Sequence, residues 1–133
     1  RVDQLLAEIE LAFKEIPPPL TTLHVARALD DEWVVSAEKA EELRQLDRET
    51  RWQNVAREKI HSFQEYFSFA DGEGWRFYLP AYMRAFLLDF PESGYDAVCL
   101  ATRRTDDERL QILNQRQSEC VKTFLQLCED YGV

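Results

Sequence analysis

The chain has 133 residues, of which 45% are hydrophobic and 31% charged, so its length and composition predict one globular domain with a sizeable core. Its formal net charge is −9, which argues against nucleic acids and anionic membranes as partners and favours a basic protein partner, although acidity can simply keep a protein in solution. No apolar run of about 18 residues occurs, so no membrane span is predicted.

The N-terminal part of the sequence predicts two helices separated by prolines. Apolar residues recur at helical spacing from Val2, and the three prolines that begin at Pro17 end this helix because they remove backbone donors. Thr21 or Thr22 is a suitable N-cap for the second helix, which runs into the acidic cluster Asp30-Asp31-Glu32.

The next segments alternate between surface and core. Ser36 is expected to cap a charged helix over residues 37–47, which has few large apolar side chains and therefore belongs on the surface. Trp52 is the expected anchor of a short connection, and a fourth helix is predicted over residues 54–67. The glycines of residues 70–74 predict a turn before the next element.

The most unusual stretch is GWRFYLPAYMRAFLLDF, residues 74–90, which is rich in aromatic side chains and carries only three charges. Proline inside a helix costs about 3 kcal/mol, but it fits the first helical turn. We therefore predict a short helix over residues 73–78, a break or kink at Pro80, and a longer helix over residues 80–89. Apolar side chains surround most of the second piece, which indicates burial on nearly all sides.

Four polar side chains interrupt this apolar stretch: Arg76, Tyr78, Tyr82 and Arg84. Buried tyrosine hydroxyls need hydrogen-bond partners, and two arginines beside an aromatic wall can bind an anion. The alternative is a core helix whose arginines reach outward to the acidic surface.

The C-terminal part predicts a helix that follows two short apolar runs. Residues 97–101 and 109–113 either pair as a β-hairpin or leave the second run as a short helix, and we favour the hairpin. Asn114 and Gln117 form a capping-box pattern that begins a last helix, and Gly132 lies just beyond its end. The predicted fold class is mainly α, a single helical domain over the whole chain with about five helices, with or without one short β-hairpin before the C-terminal helix.

Motifs for catalysis or cofactor binding are missing from the sequence. The four glycines form no phosphate-binding loop, and no CxxC or HExxH pattern occurs, so no cofactor and no metal site are predicted. Three cysteines are too few and too sparse for a disulfide framework, and no charged leader with an apolar segment opens the chain. These features favour a cytoplasmic setting and a binding protein rather than an enzyme.

The two histidines offer weak candidates for chemistry. His24 begins the second helix, but Asp31 lies two turns further on, too far for both side chains to hold one metal. His24 is either a structural residue at a helix start or a ligand or acid–base group, whereas His61 is interpreted as a surface ion-pair residue. The triplets 30–32 and 106–108 could attract a divalent cation, but such runs are typical of solvated helix ends and turns.

The order of His24, Asp30-Asp31, Trp52, Phe67 and then the string Trp75 to Met83 resembles a family of small bacterial domains of unknown function. The mark of that family is an RFYLPAYM-like string preceded by a tryptophan and an earlier histidine. An acidic residue often follows the histidine there, whereas this chain has Val25, which weakens a His–carboxylate site. Similar small acidic domains often occur as immunity proteins beside bacterial toxins, so the resemblance implies that kind of role.

Three functions therefore stay open. The first is an immunity or inhibitor protein that masks a basic partner such as a bacterial toxin. The second is a small-molecule or anion-binding domain, or an enzyme, centred on His24 and the stretch from Arg76 to Arg84. The third is a plain structural or adaptor domain of a larger protein. The candidate binding residues are His24, Asp30, Asp31, Trp52, Arg76, Tyr78, Tyr82 and Arg84.

Overall fold

The computed structural model describes residues 1–133 and is mainly α-helical, with eight α-helices, two 3₁₀ turns and no strand. The α-helices are α1 (Val2–Ala12), α2 (Leu23–Glu32), α3 (Ala37–Arg44), α4 (Arg57–Ser62), α5 (Tyr66–Phe69), α6 (Gly72–Leu88), α7 (Ala97–Thr102) and α8 (Gln115–Asp130). The 3₁₀ turns are Trp52–Asn54 and Glu108–Ile112. The predicted mainly α class is therefore confirmed, with more and shorter helices than expected.

Helix α6 lies at the centre of the fold because apolar side chains cover most of its circumference. Twelve of its 17 residues are buried, and α1, α4, α7 and both 3₁₀ turns pack against it. The hydrophobic core is continuous from Leu5 in α1 to Cys128 in α8. The predicted burial of this stretch on nearly all sides is confirmed.

Of the break or kink predicted at Pro80, the break is wrong, because α6 continues from Gly72 to Leu88 with the proline in its interior. The proline ring removes the backbone hydrogen bond that would run to the Arg76 carbonyl. Leu79 and Ala81 on either side of the proline are fully buried, and α6 packs against its neighbours along both halves. Tertiary packing therefore outweighs a local cost of about 3 kcal/mol.

The predicted β-hairpin over residues 97–113 is also wrong. The first apolar run forms α7, in which the Thr102 hydroxyl donates to the Val98 carbonyl at 2.7 Å. The second run forms a 3₁₀ turn, and the Asp107 carboxylate caps it by accepting the Arg109 N–H at 2.9 Å. Short apolar runs do not distinguish strands from buried helical turns, so packing against the core decides their conformation.

The predicted fourth helix over residues 54–67 is divided into a 3₁₀ turn, α4 and α5. In a continuous helix the carbonyls of Ser62 and Phe63 would accept backbone N–H groups four residues later. Here the Ser62 carbonyl accepts the Arg27 guanidinium, and the Phe63 carbonyl accepts the Tyr82 hydroxyl at 2.6 Å. The Phe63 carbonyl also accepts the Tyr66 N–H at 3.3 Å, a bond one residue shorter than in an α-helix. The helix is thus interrupted here, where side chains from α2 and α6 donate to its carbonyls.

Three capping signals of the sequence are confirmed, whereas Thr22 holds the N-cap position of α2 without a capping hydrogen bond from its side chain. The Ser36 hydroxyl accepts the Lys39 N–H at 3.1 Å, and α3 has no buried residue, as expected of a surface helix. Both bonds of the capping box between Asn114 and Gln117 are present at the start of α8. Gly132 follows the end of α8 with φ 72°, a left-handed conformation that glycine adopts without strain.

The first and last helices pack on each other. The Gln117 side chain donates to the Ala12 carbonyl at 3.0 Å, and Arg1 pairs with Asp130 at 2.7 Å. Helix α1 ends at Ala12, earlier than the prolines suggested. None of the helices is both long enough and apolar enough to cross a membrane.

Candidate functional site

The tyrosines of α6 belong to a buried aromatic cluster. The Tyr82 hydroxyl donates to the Phe63 carbonyl, and the Tyr66 hydroxyl donates to the Thr21 carbonyl at 2.6 Å. The rings of Tyr66 and Tyr78 meet edge to face at 4.6 Å between centroids. Burial raises the pKa of Tyr66, Tyr78 and Tyr82 well above the ordinary value, so all three stay neutral. These hydroxyls therefore stabilise the core as neutral groups.

Arg84 reaches outward from α6, which is the alternative that the sequence left open. Its guanidinium donates to the Gln53 carbonyl at 2.9 Å and lies 3.6 Å from the Glu10 carboxylate. The same group lies over the Trp52 ring at 5.1 Å, and the buried Trp52 indole donates to the Phe13 carbonyl at 2.7 Å. Arg84 and Trp52 thus join α6 to α1 and to the segment between α3 and α4.

Arg76 lies apart from these contacts. It is half-buried, and its buried Nε has no hydrogen-bond partner. None of the main surface cavities is lined by Arg76, Tyr78, Tyr82 or Arg84. The structure therefore does not show a shared cavity for the two arginines and the two tyrosines.

His24 takes part in an ion-pair network that sequence reasoning missed. Its Nδ1 lies 2.7 Å from one oxygen of Asp47, and its backbone N–H donates to the other oxygen at 2.8 Å. Lys59 approaches Asp47 at 2.7 Å and Glu49 at 3.0 Å. The Asp47 side chain is 0% exposed, so this carboxylate ties the start of α2 to α4 inside the molecule.

Opposing effects set the ionisation of this network. Burial tends to raise the pKa of Asp47, but hydrogen bonds from Lys59 and from His24 outweigh it and hold the pKa below the ordinary value. Burial likewise tends to lower the pKa of Lys59, but Asp47 and Glu49 outweigh it and raise the pKa. Asp47 and Lys59 therefore remain charged partners, and His24 is held in place beside them.

The carboxylate partner of His24 comes from a distant part of the chain. The resemblance placed an acidic residue beside the histidine, where this chain has Val25, and Asp47 lies 23 residues further on. Asp47 looks in the sequence like the charged end of a surface helix, and no local spacing relates it to His24. The geometry fits the structural interpretation of His24 at a helix start.

Asp30 and Asp31 lie in a different region, at the exposed end of α2. We define the acidic corner as residues 30–42, which comprise the end of α2, the connection to α3 and most of α3. It holds six carboxylates and one lysine, Lys39, whose ammonium is already paired with Glu32 at 2.5 Å. Asp30 and Asp31 form no ion pair, so their charges face solvent.

Two apolar side chains project from the acidic corner, and sequence reasoning did not single them out. Trp33 is 86% exposed and Val34 is 82% exposed. Trp33 has φ 65° and ψ −40°, its N–H bonds to the Leu29 carbonyl at 3.0 Å, and the Val34 N–H bonds to the Glu32 carbonyl at 2.7 Å. A positive φ is rare for a bulky residue, so the backbone is strained where the tryptophan is presented.

The three cysteines are free and buried, and two of them touch. The sulfur atoms of Cys99 in α7 and Cys128 in α8 are 3.6 Å apart. Hydrogen bonding between them raises the pKa of Cys99 and lowers the pKa of Cys128. The 29-residue separation hid this pair from sequence reasoning.

The predicted acidic triplets do not form a metal centre by themselves. No group of three or more His, Cys, Asp or Glu side chains is placed to hold a metal ion. In the 106–108 triplet, Asp107 is engaged by Arg109 at 2.8 Å. This hydrogen-bonded pairing lowers the pKa of Asp107 to about 2.

The resemblance noted in the sequence agrees with the comparison with known proteins. No curated protein and no solved structure matches the chain. The model of one family matches almost the full length, residues 1–131, and the description of that family assigns it no function. The chain therefore belongs to the family of unknown function DUF6714.

Proposed function

We propose that the protein is an acidic protein-binding domain that masks a basic partner, as an immunity or inhibitor protein masks a bacterial toxin. The observation that carries this proposal is the distribution of ion pairs. Most Lys and Arg side chains are paired within the molecule. The acidic corner holds no unpaired cation, because its one lysine is paired with Glu32, and the carboxylates of Asp30, Asp31, Glu38 and Glu42 form no ion pair.

This arrangement is unfavourable for the isolated protein. Glu38 and Glu42 are one helical turn apart on α3, and like charges at this spacing destabilise a helix. Helix α3 buries none of its residues, so packing on the core does not offset that repulsion. A partner that brings Lys and Arg side chains to this surface would relieve the repulsion, and the field of the carboxylates would speed its association.

The proposal includes a bacterial, cytoplasmic protein. The cytoplasmic location is supported by three cysteines that carry no disulfide. The alternative, an anion or small-molecule site centred on His24, Arg76, Tyr78, Tyr82 and Arg84, has less support. Three of these side chains have hydrogen-bond partners inside the protein, His24, Tyr82 and Arg84, and no main cavity is lined by the α6 residues.

The test is affinity purification of the tagged chain from its own cells at about 0.05 M and about 0.5 M salt, ionic strengths with very different screening lengths. We expect a basic protein to be retained at low salt and released at high salt. After that protein is purified, its dissociation constant measured by calorimetry should rise steeply with salt. Retention of only neutral or acidic proteins, or affinity that does not change with salt, would contradict the proposal.

A further inference from the structure

Trp33 has two energetically unfavourable features that the fold does not require. Its ring is exposed to solvent, and its backbone has the positive φ for which glycine or asparagine is usual after a helix. It is the central residue of a turn closed by the bond from the Val34 N–H to the Glu32 carbonyl, a strained geometry. No contact of the Trp33 side chain within the molecule compensates for either feature.

The other two tryptophans are buried, and their indoles have partners within the molecule. Trp52 and Trp75 are each 1% exposed, and each indole N–H donates to a backbone carbonyl. Arg84 lies over the Trp52 ring, and Arg109 lies over the Trp75 ring at 4.2 Å. Trp33 has neither a hydrogen-bond acceptor for its indole nor a cation over its ring.

We propose that Trp33 and Val34 form the docking site for the basic partner, which presents an apolar patch bordered by Lys and Arg. This inference rests on the proposed function and deepens it. Exposed tryptophans are frequent hot spots of interfaces, and an indole is the best aromatic acceptor of a cation. Trp33 and Val34 pack on the apolar patch of the partner. The carboxylates of Asp30, Asp31 and Glu38 pair with the Lys and Arg side chains that border it.

The charge of the acidic corner favours a basic partner at this surface over a second copy of the chain. Two chains that met through this surface would bring two acidic corners together, and the net charge of −9 would oppose the contact at longer range. A basic partner turns the same charges into an attraction. The pairing of Glu32 with Lys39 ties the start of α3 to the end of α2, so the surface is held ready for docking.

The difference in exposure among the tryptophans provides a specific assay. Acrylamide quenches the fluorescence of exposed indoles. Quenching of the wild-type protein therefore reports Trp33, because Trp52 and Trp75 are buried and inaccessible to acrylamide. The probe is a synthetic amphipathic helical peptide with a leucine face flanked by lysines. We expect the peptide to bind at low salt and to protect Trp33 from acrylamide. In calorimetry, Trp33→Ala should weaken binding by about tenfold or more.

Matched controls separate the site from the overall charge. Leu20→Ala removes an apolar side chain that is 69% exposed outside the acidic corner and should leave the affinity unchanged. Asp30→Asn with Asp31→Asn should weaken binding more than Glu92→Gln with Glu129→Gln, although both pairs remove two exposed and unpaired charges.

Each other outcome decides against the docking site alone or against both proposals. If Trp33→Ala binds as the wild type does, or if the two charge pairs act equally, the docking site is overturned while binding by overall charge stands. If the wild-type protein does not bind the peptide at low salt, the proposed function fails with it. If Trp33 is already shielded without peptide and the protein elutes as a dimer, the surface belongs to self-association and the basic partner is overturned.

Discussion

Helix α6 and the acidic corner each contain a tryptophan, but the two side chains lie in opposite environments. In α6 the Trp75 indole donates to the Phe67 carbonyl at 3.1 Å, and Arg109 covers its ring. At the acidic corner, Trp33 faces solvent beside Asp30 and Asp31, which form no ion pair. Almost every polar group that reaches the core finds its partner within the chain, whereas four of the six carboxylates of the corner form no ion pair.

This difference separates the residues that build the fold from the residues that face solvent. The core contacts include most of the side chains that first suggested a ligand site, such as Tyr82, Arg84 and His24. The corner contributes no buried residue, because α3 has none and the buried residues of α2 all lie before Asp30. Substitutions in the two regions should therefore act on different measurements, the first on stability and the second on binding.

The largest contrast is expected from the same substitution in the two regions. Trp52→Ala removes a buried ring and its hydrogen bond and should lower the free energy of unfolding by about 3 to 5 kcal/mol. Trp33→Ala should change it by no more than about 0.5 kcal/mol. Urea denaturation followed by circular dichroism measures both variants, and similar losses from the two would break the comparison.

A slightly smaller loss is expected from Asp47→Asn, which removes the buried partner of Lys59 and should cost about 3 kcal/mol at neutral pH. The pKa of Asp47 is lowered in the folded protein, so its stabilisation is present above the unfolded value of about 3.9 and is lost as the pH falls through the folded value. The variant should therefore lose less further stability than the wild type in acid. Asp31→Asn, at an exposed and unpaired carboxylate, is the control and should retain the wild-type dependence.

The third prediction concerns the cysteine pair in the core. Treatment with diamide, which takes up the two thiol hydrogens, should join Cys99 to Cys128 and raise the free energy of unfolding by about 2 kcal/mol. Intact mass and thiol titration measure the reaction. Cys99→Ser should block it, and Cys120→Ser should not. A disulfide that involves Cys120 would show that the arrangement of α7 and α8 differs in solution.

The smallest effects are expected from two glycines near the start of α6. A Cβ on Gly74 would lie 2.1 Å from the hydroxyl of the fully buried Tyr66, so Gly74→Ala should cost about 1 to 2 kcal/mol. A Cβ on Gly72 would meet its nearest atom at 3.6 Å, so Gly72→Ala should stabilise the protein by about 0.5 kcal/mol. Thermal denaturation compares the two, and a gain from both would show that Tyr66 moves easily.

Local signals in the sequence predict much of this fold. The capping box of Asn114 and Gln117, the Ser36 cap and the glycine after α8 depend on residues a few positions apart, and all three are confirmed. The incorrect predictions have a different origin. The helix over residues 54–67 is interrupted where the Tyr82 hydroxyl donates to the Phe63 carbonyl, and this contact joins residues 19 positions apart.

The candidate site was harder to predict for the same reason. The pairing of His24 with Asp47 and the contact of Cys99 with Cys128 span 23 and 29 residues, and spacing within one helix does not reveal them. Trp33 follows directly on α2, where a large apolar residue usually packs on the core. Only its positive φ and its exposure in the folded chain distinguish it from a core residue.

The packing of α1 on α8 has a consequence for synthesis of the chain. The Ala12 carbonyl receives its bond from Gln117, 105 residues later, and the apolar side of α1, with Leu5 and Ile9, is covered only by helices made after it. At a ribosomal rate of about 5 to 20 residues per second, the bond to Gln117 forms on the order of 5 to 20 seconds after α1 is made. Helix α1 is thus translated well before α8, and its apolar face waits that long for the helix that covers it.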